Sequence, residues 1–183
     1  MLDVPYRGCV LHFWDLGGAR SMRSLWGQYA PDAQAIVFVV DAPRWIEDAR
    51  VPEESDSSYR DAACAALFGV VRQVAASNGQ SVCVLVSQTD VVTVKEKHSD
   101  AEAVVRDVKQ GITQRWEELA RGAVDVGTLR PVLHYMRASA KTGYARDWRS
   151  CVADLQRRNS RAGGAPVYLS LIHISEPTSQ EAL

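Results

Sequence analysis

No stretch of apolar side chains in the 183 residues approaches the ~18–20 that a membrane-spanning helix requires. The opening MLDVPYRGCV lacks the charged-then-apolar layout of a secretory signal. An excess of either charge is missing too. Lysine and arginine number 21 against 22 acidic residues, a net charge of -1. A protein without a basic field has no global electrostatic grip on nucleic acid, so that partner class is not expected. Histidine is sparse: His12, His98, His134 and His173 are scattered, and no pair has the helical i, i+4 spacing of zinc ligands. Cysteine is equally thin. Cys9, Cys64, Cys83 and Cys151 form no CxxC pair, and all four are expected to be small buried or half-buried thiols in a reducing compartment rather than a disulfide framework. There is no GxGxxG, which argues against a doubly wound dinucleotide or flavin domain, and no GxSxG elbow around Ser87 or Ser139.

What remains is an ordinary globular composition, 46% hydrophobic and 23% charged, in a length suited to one domain of roughly 100–200 residues. Short apolar runs at Cys9–Trp14, Ala35–Val40 and Val82–Val86, with a weaker one at Val132–Met136, read as strands. The middle two are continuous rather than alternating, the pattern of parallel strands covered on both faces. Helical stripes lie between them. Tyr59, Ala63, Leu67, Val70, Val71 and Val74 recur at three- and four-residue steps, as do Val104, Val108, Ile112, Trp116 and Leu119. Trp148, Val152 and Leu155 mark a last helix, made basic by Arg146, Arg149, Arg157, Arg158 and Arg161. Strands alternating with helices predict an α/β fold with a mostly parallel sheet. The polar segment Pro43–Ser58 and the segment Ala120–Pro131 are predicted surface loops.

The chemistry concentrates at Leu11–Trp26, LHFWDLGGARSMRSLW. An apolar strand ends in Asp15, and Gly17 and Gly18 follow. An aspartate at the carboxyl end of a parallel strand projects into the ligand crevice of an open α/β sheet, where it can hold Mg²⁺ through water. Glycine amides beside it can approach a phosphate closely, because no Cβ intervenes. A strand followed by a glycine turn would look the same.

WDLGG at 14–18, RSLW at 23–26, Tyr29 and AIVFVVD at 35–41 together resemble the Arf/Arl family of small GTPases, from about Val4 to Leu155 and most strongly through Asp41. The resemblance implies a P-loop NTPase-like three-layer fold that binds GTP or GDP with Mg²⁺. It makes Asp15 the Mg²⁺-side aspartate and places Gly17 and Gly18 at the γ-phosphate. Trp14, Trp26 and Tyr29 become an effector-facing surface, although packing alone would also explain them. Ser87-Gln88-Thr89-Asp90 stands where the family has Asn-Lys-x-Asp, with Asp90 in place to accept two hydrogen bonds from the guanine edge. Ser87 and Gln88 depart from that pattern. Ser139-Ala140-Lys141 resembles the loop whose alanine amide meets the guanine carbonyl. Ala19 occupies the position of the family's water-orienting glutamine, so no catalytic residue is assigned and hydrolysis is expected to be weak.

The resemblance also implies that a GxxxxGK(S/T) loop, the first strand, the first helix and switch I would precede Met1, as in a truncated gene model or partial transcript. The expected division is residues 1–161 as a partial Arf-like domain and 162–183 as a disordered or non-native tail, since LSLIHISEPTS resembles translated adapter read-through. Leu2 rules out N-myristoylation of the chain as written. Vesicle transport at Golgi-type membranes, a cytoplasmic location with peripheral membrane association, and effector partners follow from the resemblance alone. The alternative is a non-enzymatic interaction module built on the switch II surface.

Overall fold

The segment Ala35–Asp41 sets the architecture. Its run of β-branched and aromatic side chains has no polar face, and Ala35, Ile36, Phe38 and Val40 are all fully buried. A strand without a wet face must lie in the middle of a sheet with cover above and below. The computed structural model describes residues 2–6, 9–29, 32–48, 57–75, 81–95, 101–122, 133–139, 144–146 and 167–173. Within them the strands are β1 (Leu2–Tyr6), β2 (Cys9–Leu16), β3 (Ala35–Asp41), β4 (Ser81–Ser87), β5 (Leu133–Ser139), β6 (Tyr144–Arg146) and β7 (Val167–His173). They form one sheet in the order β1-β2-β7-β3-β4-β5-β6.

The pairings β2–β7, β7–β3, β3–β4 and β4–β5 are parallel, whereas the outer pairs β1–β2 and β5–β6 are antiparallel. The mostly parallel α/β sheet read from the sequence is therefore the one observed. The described residues of all four apolar runs are strands in it, Val132 lying outside them. In the β1–β2 pair, His12 stands opposite Asp3, and their side chains hydrogen-bond at 2.7 Å between Nδ1 and Oδ1.

The helices are α1 (Arg23–Tyr29), α2 (Ala42–Glu47), α3 (Tyr59–Ala75), α4 (Thr89–Lys95) and α5 (Ala101–Gly122). Residues two apart on a strand share a face. Ile36, Phe38 and Val40 of β3 and Val82, Val84 and Val86 of β4 thus present one apolar surface, and the helices cover it. α5 contributes Val104, Val108 and Ile112, the stripe expected from their four-residue spacing, each buried. Full burial of such side chains contributes about 1.5–3 kcal/mol apiece. Phe68 of α3 meets Trp116 of α5 edge-on, with ring centroids 4.6 Å apart, which locks the two long helices together. On the opposite face Val37 and Cys83 are buried as well. The last helix expected around Trp148, Val152 and Leu155 lies outside the described residues.

Three expectations change. Pro43–Ser58 is not loop throughout, because α2 begins at Ala42. Asp41 caps it by accepting the Arg44 backbone N–H at 3.0 Å, Pro43 sits in the first turn where its missing donor costs nothing, and buried Trp45 anchors it. Cys83 is not a free thiol; it is disulfide-bonded, whereas Cys64 is free and buried. Sequence spacing could not show this, since disulfide formation depends on Cα atoms brought within about 4.4–6.8 Å by the fold. Finally, seven residues of the segment set aside as a tail, Val167–His173, occupy the middle of the sheet between β2 and β3. Their apolar VYLSLI core suits a strand flanked on both sides.

Candidate functional site

Parallel strands end on the same edge of a sheet, and ligands of open α/β sheets bind beyond those carboxyl ends. β2 delivers Asp15 to this edge, exposed, followed by Gly17 and buried Gly18. The diglycine turn is held from below by α1. Trp26 donates its indole N–H to the Gly17 carbonyl at 3.0 Å, and the Arg23 guanidinium donates to the Gly18 carbonyl at 3.3 Å while lying 5.9 Å from the Trp26 ring centre. Ala19 comes next. It precedes the single 3₁₀ turn Arg20–Met22, caps it with no side-chain bond, and accepts the Met22 N–H on its carbonyl at 2.9 Å. Trp14 and Tyr29 are in ring contact with centroids 5.5 Å apart. Trp26 is a core residue, whereas Tyr29 and Met22 are about two-fifths exposed (38% and 41%).

β3 and β4 bring a second group to the same edge, clamped by hydrogen bonds. Ser87 Oγ donates to the Val40 carbonyl at 3.2 Å. Gln88 adopts a left-handed backbone, φ 54°, uncommon for a residue with a Cβ and a feature that gathers at functional sites. Its carbonyl accepts the Val91 N–H at 3.1 Å, starting α4, and its side-chain amide donates to Asp41 Oδ2 at 3.1 Å. Asp41 thus serves two elements at once, with Oδ1 on the Arg44 N–H and Oδ2 on Gln88. Its own N–H donates to the Tyr59 hydroxyl at 2.9 Å, and burial pushes that phenol's pKa upward. Asp90 stands in the first turn of α4, beside buried Thr89.

The fold therefore gathers Asp15, Gly17, Gly18, Ser87, Gln88 and Asp90 along one sheet edge. The β2 group and the β4 group are three strand positions apart, about 14 Å at ~4.8 Å per strand. Ser139 ends β5 on the same edge, paired with Tyr144. Ala140 and Lys141 lie outside the described residues. Sequence reading missed Asp41 and Tyr59 as members of the clamp. The signal for Asp41 was legible: an aspartate closing a buried strand one residue before Ala-Pro is a helix N-cap.

Among the described residues no group of three or more His, Cys, Asp or Glu side chains is placed to hold a metal ion. One strand-end carboxylate suits Mg²⁺, which keeps waters and takes its remaining ligands from substrate phosphates. Away from the edge, a cavity of about 200 Å³ is lined by Trp45, Asp61, Cys64, Arg115 and neighbours. Arg115 pairs there with Asp61 at 2.8 Å and with Glu118 at 2.9 Å. Burial pushes the Cys64 thiol up to about 12, leaving it protonated and inert at neutral pH.

The family model described as "Arf: ADP-ribosylation factor family" matches residues 1–57, which hold Asp15, the diglycine turn and the whole of β3. The chain is 32% identical to ADP-ribosylation factor-related protein 1 of Rattus norvegicus and of Homo sapiens, in each case over 83 residues, 45% of the chain and 39% of the relative. It is 44% identical to ADP-ribosylation factor 3 of Arabidopsis thaliana over 39 residues, 21% of either protein. The chain thus spans about two-fifths of the length of the related-protein-1 sequences it matches. No solved structure matches it. No helix among the described residues is long and apolar enough to cross a membrane.

Proposed function

We propose that this chain carries the magnesium-facing and base-facing parts of a guanine-nucleotide site in an Arf-like small GTPase that regulates vesicle transport at Golgi-type membranes from the cytoplasmic side. The observation that carries the reading is the common sheet edge. Asp15 stands one residue before the end of β2, and Asp90 follows β4 about three strands away, which is the order a triphosphate-to-base ligand demands. Asp15 would hold Mg²⁺ through water, with Gly17 and Gly18 lining the phosphate side. Asp90 would accept the two N–H groups of the guanine edge, a pattern that adenine does not present. Ser139, Ala140 and Lys141 belong to the base side of this reading.

GTP, with Mg²⁺, would stabilise the effector-binding arrangement of the surface around Trp14, Trp26 and Tyr29. Hydrolysis would be slow, because Ala19 has no side-chain group to orient water. Single-turnover hydrolysis at a rate typical of the family would overturn that part. No GxxxxGK(S/T) stands in the sequence, and such a loop supplies most of the grip on β- and γ-phosphates. Nucleotide affinity of this chain is therefore expected to be weak, with dissociation constants on the order of 0.1–1 mM.

A second reading, a non-enzymatic interaction module, is favoured by a specific feature. The Ser87 and Gln88 side chains are engaged with Val40 and Asp41, while Met22 and Tyr29 stay exposed for a partner. Titration of the chain with a fluorescent GTP analogue in Mg²⁺ separates the two. Saturable binding that GTP competes and ATP does not supports the nucleotide site; no saturation at millimolar ligand overturns it and leaves the module.

A further inference from the structure

We propose that the space between β2 and β3 is a strand-accepting slot, a binding site for an extended apolar peptide, which the chain fills with its own Val167–His173 and which the same segment of a second copy can fill instead. β2 and β3 do not pair with each other. β7 lies between them, parallel to both, with Leu11–Leu16 of β2 opposite Val167–Ile172 and Ala35–Val39 of β3 opposite Leu169–His173. The strand that completes the middle of the sheet is thus the last strand among the described residues.

The two walls of the slot are each held without it. β2 pairs over Cys9–Phe13 with β1, and β3 pairs along its length with β4, which in turn pairs with β5. The walls are also tied to one another. Leu16 of β2 and Trp26 of α1 share a core with Ile36, Phe38 and Val40 of β3, and Trp26 holds the Gly17 carbonyl at 3.0 Å. Emptying the slot would leave two parallel rows of backbone donors and acceptors facing a narrow apolar gap, an arrangement that strongly favours any strand able to enter. Strand addition takes its affinity from main-chain hydrogen bonds, here available on both sides of the guest, and its selectivity from alternate side chains. Residues 147–166 span up to about 70 Å when extended, many strand spacings, so the segment can reach the slot of a neighbouring molecule. This inference does not depend on nucleotide binding and stands or falls separately from it.

The test uses the full chain and a fluorescein-labelled peptide VYLSLIH. Leu171→Pro removes a backbone donor and a compatible backbone geometry at the centre of β7, opposite both Asp15 and Val37, and so empties the slot. The expected result is saturable peptide binding to Leu171→Pro, at least about tenfold tighter than to the wild type, whose slot is filled, and than binding of a scrambled peptide. Peptide binding to the variant no tighter than to the wild type, or equal binding of the scrambled peptide, overturns the proposal. If Leu171→Pro fails to fold, hydrogen exchange on the wild type decides. Amides of 167–173 should open together with those amides of 11–16 that bond to β7 and before those of 81–87; no protection at 167–173, or opening only in global unfolding, rejects the slot. Refolding the wild type at high concentration should give a dimer by light scattering. A wild type that remains strictly monomeric contradicts exchange between copies.

Discussion

Gly111 has almost no room. A Cβ built on it would come within 2.6 Å of Cζ2 of Trp45, an indole fixed by burial and by its N–H bond to Asp107 at 3.0 Å. Alanine ordinarily improves a helix interior over glycine by about 1 kcal/mol. Here overpacking against a held ring outweighs that gain, so Gly111→Ala is expected to destabilise the protein by roughly 1–3 kcal/mol. Gly69 on α3 is exposed, and nothing lies within 4 Å of its added Cβ. Gly69→Ala should therefore stabilise by roughly 0.5–1 kcal/mol. Urea denaturation of both variants checks the pair, and midpoints that move in the same direction would refute the packing described for Trp45. Nothing in the sequence distinguished these two helical glycines. The difference arises because α2, expected to be loop, places Trp45 on the face of α5 that Gly111 occupies.

At the scale of elements, the strands and the two long helices were legible because their signals are local. Continuous apolar runs gave β3 and β4, and the four-residue spacing from Val104 through Trp116 gave α5. α2 was obscured because Pro43 and the acidic residues after it suggested a loop, while the Asp41 cap that overrides them is a single side chain. Asp41 joins the start of α2 to the Gln88 turn, so its removal should act on both. Asp41→Ala is expected to cost roughly 1–3 kcal/mol, the loss of a cap plus a solvent-exposed turn contact. For a chain of this size that lowers the melting temperature by roughly 2–10 °C. Asp41→Asn keeps an oxygen for the Arg44 N–H and should recover more than half of the loss. A melting temperature unchanged in Asp41→Ala would show that the clamp contributes nothing. The position of β7 was illegible for another reason. No local pattern states that a strand so late in the chain inserts between two strands near its beginning, and the resemblance of LSLIHISEPTS to adapter read-through set that segment aside.

For the whole molecule, the buried core sets a pH limit. Burial pushes Cys64 from 9.0 up to about 12 and Tyr135 from 10.0 up to about 12, and raises Tyr59 as well. A group that holds its proton more tightly when folded stabilises the fold below its ordinary pKa, and that contribution fades as pH climbs through the folded value. These three groups therefore leave stability unchanged up to about pH 9 and erode it between about 9 and 12. Urea midpoints measured across that range should fall from about pH 9 in the wild type and from nearer pH 10 in Cys64→Ala. Identical curves for the two proteins would contradict a protonated, buried Cys64. The nucleotide site belongs to the same scale, since it exists only because separate strands end on one edge. Its most direct test is base selectivity at Asp90. In competition against a fluorescent GTP analogue, wild-type protein should prefer GTP over XTP by at least about tenfold, because a carboxylate accepts the guanine N–H groups. Asp90→Asn, whose amide can donate to the xanthine carbonyl, should reverse that preference. Selectivity unaltered by the substitution would contradict the placement of a guanine base at Asp90, and with it the nucleotide site proposed for this sheet edge.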